Sequence, residues 1–218
     1  MRTQCPLPLV YSVLILFLPG LFGCRSAYYS TMEKFGVYKR DLLKKRVVAA
    51  RDDEQQAGQQ FKDAVTRLKE LYGFQGGDLE KTYTALKNDY DRSAAKAEDV
   101  HKRIRDVETV ADDLFKEWAG EIKQISSETL RANSRKQLQE TQSRYDDLHA
   151  ALKQAEKSMD PVLIAFRDHV LYLKHNLNAQ AIASLKGEAA SIQTDITKLI
   201  NEMNAAIAHA DEFIKQMQ

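Results

Sequence analysis

A three-four repeat of apolar residues runs through residues 182–217 and strongly restricts how this chain can fold. The repeat consists of Ile182, Leu185, Ala189, Ile192, Ile196, Leu199, Met203, Ala206, Ala210, Phe213 and Met217. This spacing places every member on one face of an α-helix, near the 3.5-residue period of a coiled coil. Because a helix gains most of its stability by packing such a face against neighbours, the repeat predicts one long helix of a bundle.

Similar stripes recur upstream, between residues 61 and 72, 79 and 125, 138 and 155, and 163 and 177. The 218 residues contain only 4 Pro and 9 Gly, so helix breakers are scarce. The predicted fold class is all-α, an elongated antiparallel coiled-coil-like bundle of three or four long helices.

Two boundaries between helices stand out. One helix is expected to end at Gly73, and the next to begin after Asp78, a residue type that suits the N-cap position. Asp160-Pro161 predicts a second start, with a helix of about 85 Å from there to residue 217, because proline suits the first turn. Ser126-Ser127 leaves it open whether residues 78–158 form one helix or two. Residues 52–60 offer little apolar surface and are expected to fray or face solvent.

The N-terminus has the layout of a bacterial signal peptide. Arg2 precedes an almost wholly apolar run from residue 7 to 18, which is short of the roughly 20 residues needed to span a bilayer. The following Leu21-Phe22-Gly23-Cys24 resembles a lipobox, with Phe22 as its one departure. We expect a signal peptide at 1–23, a tether at 24–30, a single helical domain at 31–218, and lipidation at Cys24. A plain secretory signal or an uncleaved anchor is the alternative.

Cysteine usage fits lipidation. With Cys5 in the removed segment, Cys24 is the last remaining thiol, so no intramolecular disulfide can form in an oxidising compartment. Several acyl chains on one cysteine give stable membrane anchoring. Arg25 differs from the Asp that resembles an inner-membrane retention signal. The expected localisation is therefore the periplasmic face of the bacterial outer membrane.

Charge and motifs argue against several function classes. Removing residues 1–23 takes away Arg2 and leaves 31 charges of each sign, so no global field recruits nucleic acid. The sequence has no phosphate-binding G-x-x-x-x-G-K-[ST] loop and no hydrolase or zinc-protease motif. His169 and His175 are six residues apart, not the four that would place them on one helix face for a metal. We expect no enzyme activity, no cofactor and no metal.

Two surface patches are candidate sites. His175, Asn176 and Asn178 interrupt a helical pattern, which favours either a kink with a new N-cap at Asn178 or a recognition patch for a protein or glycan. A basic patch follows the predicted anchor and consists of Lys39, Arg40, Lys44, Lys45 and Arg46. It predicts contact with anionic headgroups, each cation contributing about 1 kcal/mol, or simply a solvated helix face.

Three segments carry a family resemblance. They are CRSAYYSTMEKFGVYKRD at 24–41, GGDLEKTY at 76–83 and MDPVLIAFRDHVLYLKHNLNAQAIASLKGE at 159–188. On these strings the chain resembles the proteobacterial lipoproteins classed as domain of unknown function 2959, from Cys24 to the C-terminus. The resemblance implies an envelope lipoprotein with coiled-coil character and supplies no activity.

The expected function is a structural or adaptor rod, anchored to the membrane by lipid, that binds an envelope protein or its own copies. The alternative is a helical module at the outer membrane that binds a lipid, glycan or small molecule between helices, near Trp118 or His175.

Overall fold

A computed structural model describes residues 29, 32, 36–73 and 78–217, without the side chain of residue 189. The chain divides into two units, Met1–Tyr38 and Lys39–Gln218. In the first, the amide of Val37 donates to the carbonyl of Met32 at 3.0 Å, and Gly36 has a φ of 75°. No helix within the described ranges is long and apolar enough to cross a membrane.

The second unit is built from four long helices, and the described residues contain no strand. They are α1 (Lys39–Tyr72), α2 (Leu79–Ile122), α3 (Glu128–His175) and α4 (Ala179–Gln216). At 1.5 Å per residue they measure about 50 to 70 Å. The break between α2 and α3 at residues 123–127 answers the question that the sequence left open.

The helices pack in a ring, each against two neighbours: α1 on α2, α2 on α3, α3 on α4, and α4 back on α1. Arg46 pairs with Asp106 and Arg67 with Asp89, so positions on α2 fall as those on α1 rise, and these two helices are antiparallel. Gln154 on α3 donates to the Glu202 carboxylate on α4 at 3.0 Å. The predicted all-α bundle is confirmed, with four helices.

Apolar stripes from all four helices form the core. Every described member of the repeat in α4 is buried except Met217, which is partly exposed. Phe61 of α1 and Phe166 of α3 are fully buried, as are Ile104 of α2 and Leu199 of α4. Burying one such side chain contributes about 1.5–3 kcal/mol, so these stripes hold the bundle together.

Three helices begin with a side-chain cap. Asp78 accepts a hydrogen bond from the amide of Lys81 at 3.0 Å at the start of α2. Ser127 caps α3, and Asn178 caps α4 by accepting from the amide of Ala181 at 2.9 Å. Each cap satisfies an amide that has no partner within its own helix. The predicted caps at Asp78 and Asn178 are confirmed.

The predicted helix start at Asp160-Pro161 is wrong, because α3 continues through Pro161 to His175. Proline there removes one backbone hydrogen bond and crowds the preceding turn. Met159, Val162 and Phe166 are fully buried on both sides of it, however, and the apolar stripe is unbroken. Burial of that stripe outweighs the local cost, and the long C-terminal helix breaks instead at residues 176–178.

Residues 52–60 neither fray nor lie wholly in solvent, contrary to the sequence expectation. They are a regular part of α1, in which Glu54, Ala57 and Gly58 are buried. The stretch lacked large apolar residues, yet its inward face is filled by two small residues and one carboxylic acid. Small residues allow a neighbouring helix to approach closely, and Met203 of α4 lies 3.8 Å from the position of a Cβ on Gly58.

Candidate functional site

Large apolar side chains are exposed together near the C-terminal end of α3. We call Ile164, Leu171, Tyr172 and Leu177 the α3 apolar cluster; each is at least 40% exposed. Ile164 and Leu171 are seven residues apart, so they point in nearly the same direction from the helix. Tyr172 points about 100° away from Leu171 around the helix axis, and Leu177 follows the helix end. Grouped exposed apolar residues of this kind are typical of binding surfaces.

An open groove of about 920 Å³ runs between α3 and α4 beside this cluster. Its lining includes Ile164, His169 and Tyr172 from α3, and Leu185, Glu188 and Ile192 from α4. We call it the α3–α4 groove. It combines an apolar surface with a few polar groups, which is the usual composition of a ligand site.

His169 is an unusual part of that lining, because its ring is only 3% exposed and neither nitrogen makes a hydrogen bond within the described part of the chain. Burial lowers the pKa of the imidazole and outweighs the opposing influence of Glu188, Asp168 and the Ala165 carbonyl, which is close to the ring but outside hydrogen-bond geometry. His169 is therefore neutral at neutral pH, with one nitrogen able to accept a hydrogen bond.

Tyr72 at the end of α1 completes this corner of the bundle. Its ring meets that of His169 edge-on, and its buried hydroxyl lacks a hydrogen-bond partner among the described residues. Burial raises the pKa of Tyr72 to about 12, helped by the nearby negative charge of Glu188. Three helices thus bring a hydroxyl, an imidazole and a carboxylate together beside the α3–α4 groove.

A second polar group lies inside the bundle. Glu54 on α1 is fully buried, and neither carboxylate oxygen has a hydrogen-bond partner in the described residues. Burial and the charge of Glu156 on α3 raise its pKa to about 8. Glu156 also lies 3.8 Å from His101 of α2 and pairs with Lys153. We call Glu54, His101 and Glu156 the internal polar layer.

The predicted patch consists of the last residue of α3, His175, and of Asn176 and Asn178 in the turn that leads to α4. The Asn176 amide donates to the Tyr172 carbonyl at 2.9 Å, while the Asn178 side chain caps α4. Both amides therefore have structural roles, as the kink-and-cap alternative requires. His175 is exposed, and recognition by this patch stays a prediction.

The predicted basic patch lies on the first turns of α1, where two of its cations already have partners on α2. Lys39 pairs with Glu117, and Arg46 lies 3.4 Å from Asp106. Arg40 and Lys45 are exposed and Lys44 is partly exposed. Headgroup contact by this patch stays a prediction.

The predicted signal peptide and Cys24 lie outside the described residues. Trp118 is partly exposed, and its indole nitrogen donates to the Ser134 hydroxyl at 2.9 Å, which ties α2 to α3. The other predicted ligand position, the His175 segment, follows Tyr172 of the α3–α4 groove lining, but His175 itself does not line the groove.

Sequence reasoning missed the roles of Tyr72, Glu188 and Glu54. In the sequence, Tyr72 is an ordinary member of the apolar stripe between residues 61 and 72, and the abundance of carboxylates makes any single one uninformative. The one available signal was spacing, since Glu54 occupies an inward position between Ala50 and Ala57. A charged residue at such a position indicates a buried polar group.

Comparison with known proteins gives the family and no activity. The family model described as "Protein of unknown function (DUF2959)" matches residues 28–217. Searches of curated proteins and of solved structures found no match. Since the matched region covers most of the sequence, the chain belongs to the family of unknown function 2959.

Proposed function

We propose that this protein is a lipid-anchored lipoprotein of the bacterial outer membrane that acts as an adaptor, binding a protein partner through the α3 apolar cluster. The observation that carries the proposal is the grouping of Ile164, Leu171, Tyr172 and Leu177 on one end of the bundle. Exposing them to water is unfavourable, and a partner that covered them would gain about 25 cal/mol per Å² of apolar surface buried.

The position of the cluster supports this role. The pairing of Tyr72 with His169 places the cluster near the last turn of α1, about 50 Å along the bundle from Lys39. Within the bundle, the cluster therefore lies towards the end of α1 opposite Lys39.

The anchor is tested by Cys24→Ser. We expect this variant to appear in the soluble fraction of cells, because it cannot receive the acyl chains that hold the protein to the membrane. A variant that still sediments with outer membranes would contradict lipid anchoring at Cys24.

The adaptor surface is tested with a photo-crosslinking amino acid placed at position 171 or 130 in cells. Leu130 is a matched control because it lies on the same helix and is 61% exposed, against 52% for Leu171. We expect a discrete crosslinked species from position 171 that position 130 does not give. Equal patterns from both positions, or none from position 171, would overturn the adaptor proposal.

A second function, binding of a small amphipathic ligand, is favoured by the α3–α4 groove. A surface used for proteins alone does not require an imidazole without hydrogen bonds in its lining, and such groups are costly unless a ligand pairs with them.

A further inference from the structure

We propose that the α3–α4 groove binds the ammonium group of an aliphatic amine, with the hydrocarbon part of the ligand lying along the apolar lining. This inference rests on the second function proposed above, and the adaptor role of the α3 apolar cluster can hold without it.

The charged residues that line the groove determine whether a cationic or an anionic ligand can bind there. The ionisable groups that line the groove are Asp168, His169, Tyr172 and Glu188, so it presents carboxylates and no lysine or arginine. Arg167 lies 3.7 Å from Asp168 and partly neutralises it. Glu188 forms no salt bridge with any cation of the four described helices, which leaves one carboxylate available for a cationic ligand. An anionic ligand such as a carboxylate would be repelled.

The hydrogen-bonding groups of the groove further restrict which kind of cation can bind. A neutral His169 has one accepting nitrogen, which has no donor within the described helices and is covered by its neighbours, so the ammonium reaches it by displacing a side chain of the groove lining. A primary ammonium carries three donors, enough to serve both the imidazole and Glu188. A quaternary ammonium has no N–H donor and would leave the imidazole without a hydrogen bond. The geometry therefore favours a primary amine.

The apolar lining accounts for the remainder of the ligand. Ile164 and Tyr172 on α3 face Leu185 and Ile192 on α4 across the groove. Ile164 and Tyr172 are exposed, and an alkyl chain would cover them, with a favourable free energy for each methylene removed from water. The groove is large enough for a chain of several carbons.

The test is a titration of the purified full chain with n-octylamine, n-octanol, octanoate and octyltrimethylammonium, followed by calorimetry and by the NMR shifts of the His169 ring. We expect octylamine to bind about tenfold more tightly than octanol, the ratio expected for one charge-assisted hydrogen bond. Octanoate should bind least. Equal affinity for octylamine and octanol, or no binding of octylamine, would overturn the proposal. Equal affinity for octyltrimethylammonium would overturn the assignment of a hydrogen bond to His169.

Two variants localise the effect. Glu188→Gln should lose most of the preference for octylamine over octanol while keeping the fold. Glu212→Gln is the matched control, because Glu212 is also an exposed carboxylate on α4 but lies away from the groove lining. An equal loss of this preference in both variants would mean that octylamine is attracted by the negative surface in general, which would contradict the proposal. The crosslinking result at position 171 is read separately, so the two proposals can fail independently.

Discussion

The ring of Tyr72 on α1 meets the ring of His169 on α3 edge-on, with 6.2 Å between centroids, so that two helices on opposite sides of the ring of four come into contact. The contact buries the imidazole without giving either nitrogen a hydrogen bond in the described part of the chain. A buried polar group without a partner costs about 1–3 kcal/mol.

We predict that His169→Phe raises the free energy of unfolding by about 1–2 kcal/mol, because it keeps an aromatic ring beside Tyr72 and removes the unpaired nitrogens. The substitution should also alter the pH dependence of the free energy of unfolding. Since the folded pKa of His169 is lowered, the unfolded chain takes up a proton below about pH 6.5 that the folded chain resists. Wild-type stability from this group therefore falls as the pH drops below that value.

Urea unfolding of the wild type and of His169→Phe at pH 7.5 and 5.5 measures the difference in their free energies of unfolding. The contributions of other titrating groups are the same in both proteins and cancel in this difference. If the stability gap between variant and wild type does not widen at pH 5.5, His169 is not a buried neutral imidazole.

Glu54 of the internal polar layer makes stability depend on pH in the direction opposite to His169. The raised pKa of Glu54, about 8, means that the folded protein holds a proton which the unfolded chain releases above about pH 4.5. Stability from this group is therefore complete below that pH, declines as the pH rises, and levels off above about 8. At pH 7 the loss is about 3 kcal/mol.

We predict that Glu54→Gln abolishes most of this loss and is more stable than wild type at pH 8. Glu98→Gln is the control, because Glu98 is an exposed carboxylate on the same bundle. Thermal melting between pH 5 and 9 checks both variants; parallel curves for wild type and Glu54→Gln would show that Glu54 is ionised in the folded state.

Pro161→Ala tests the helix that runs through a proline. Alanine restores the missing amide donor and relieves the crowded turn, and the exposed proline ring contributes little to the core. We predict an increase in unfolding free energy of about 1–3 kcal/mol. Gln139→Ala, at another exposed position of α3, should change stability by less than about 0.5 kcal/mol. A destabilised Pro161→Ala would indicate that the ring itself packs against a neighbour.

Two variants of Asn178 can distinguish a role in capping α4 from a role in recognising a partner. Asn178→Ala should lower the unfolding free energy by about 1 kcal/mol, because α4 loses its N-cap, whereas Asn178→Asp should retain the cap. Chemical denaturation measures both. If Asn178→Asp keeps wild-type stability but loses a cellular function, the recognition prediction gains support; if function follows stability alone, Asn178 serves only as a cap.

Gly58→Ala should stabilise α1. The added Cβ would lie 3.8 Å from the Met203 sulfur, an ordinary van der Waals contact, and alanine is favoured over glycine within a helix by about 1 kcal/mol. The same change at Gly120, where nothing lies within 4 Å, gives a comparison without the core contact. A lower melting temperature for Gly58→Ala would indicate that α1 and α4 cannot separate even slightly at this point.

The fold was largely predictable because the periodicity of α4, from Ile182 to Phe213, is regular and its described members are buried as expected. The predicted helix start at Asp160-Pro161 was wrong because a capping preference is worth only about 1 kcal/mol. Burial of Met159, Val162 and Phe166 in one continuous helix contributes more. Sequence spacing along one helix cannot report such tertiary packing.

The candidate site was less predictable, because its groups come from three helices. Tyr72 and His169 are 97 positions apart, and Glu188 reaches them from α4. Each looks ordinary within its own helix, and their relation depends on how the helices are arranged in the ring. His175 and Asn178, which the sequence pointed to, follow this part of α3 but do not line the groove.

The position of α4 has a consequence for how the protein is made. Because α4 packs on both α1 and α3, the ring closes only after this 38-residue helix has left the ribosome. Until then the nascent chain carries two uncovered apolar seams, on α1 and α3, and exposed apolar surface of this kind promotes aggregation.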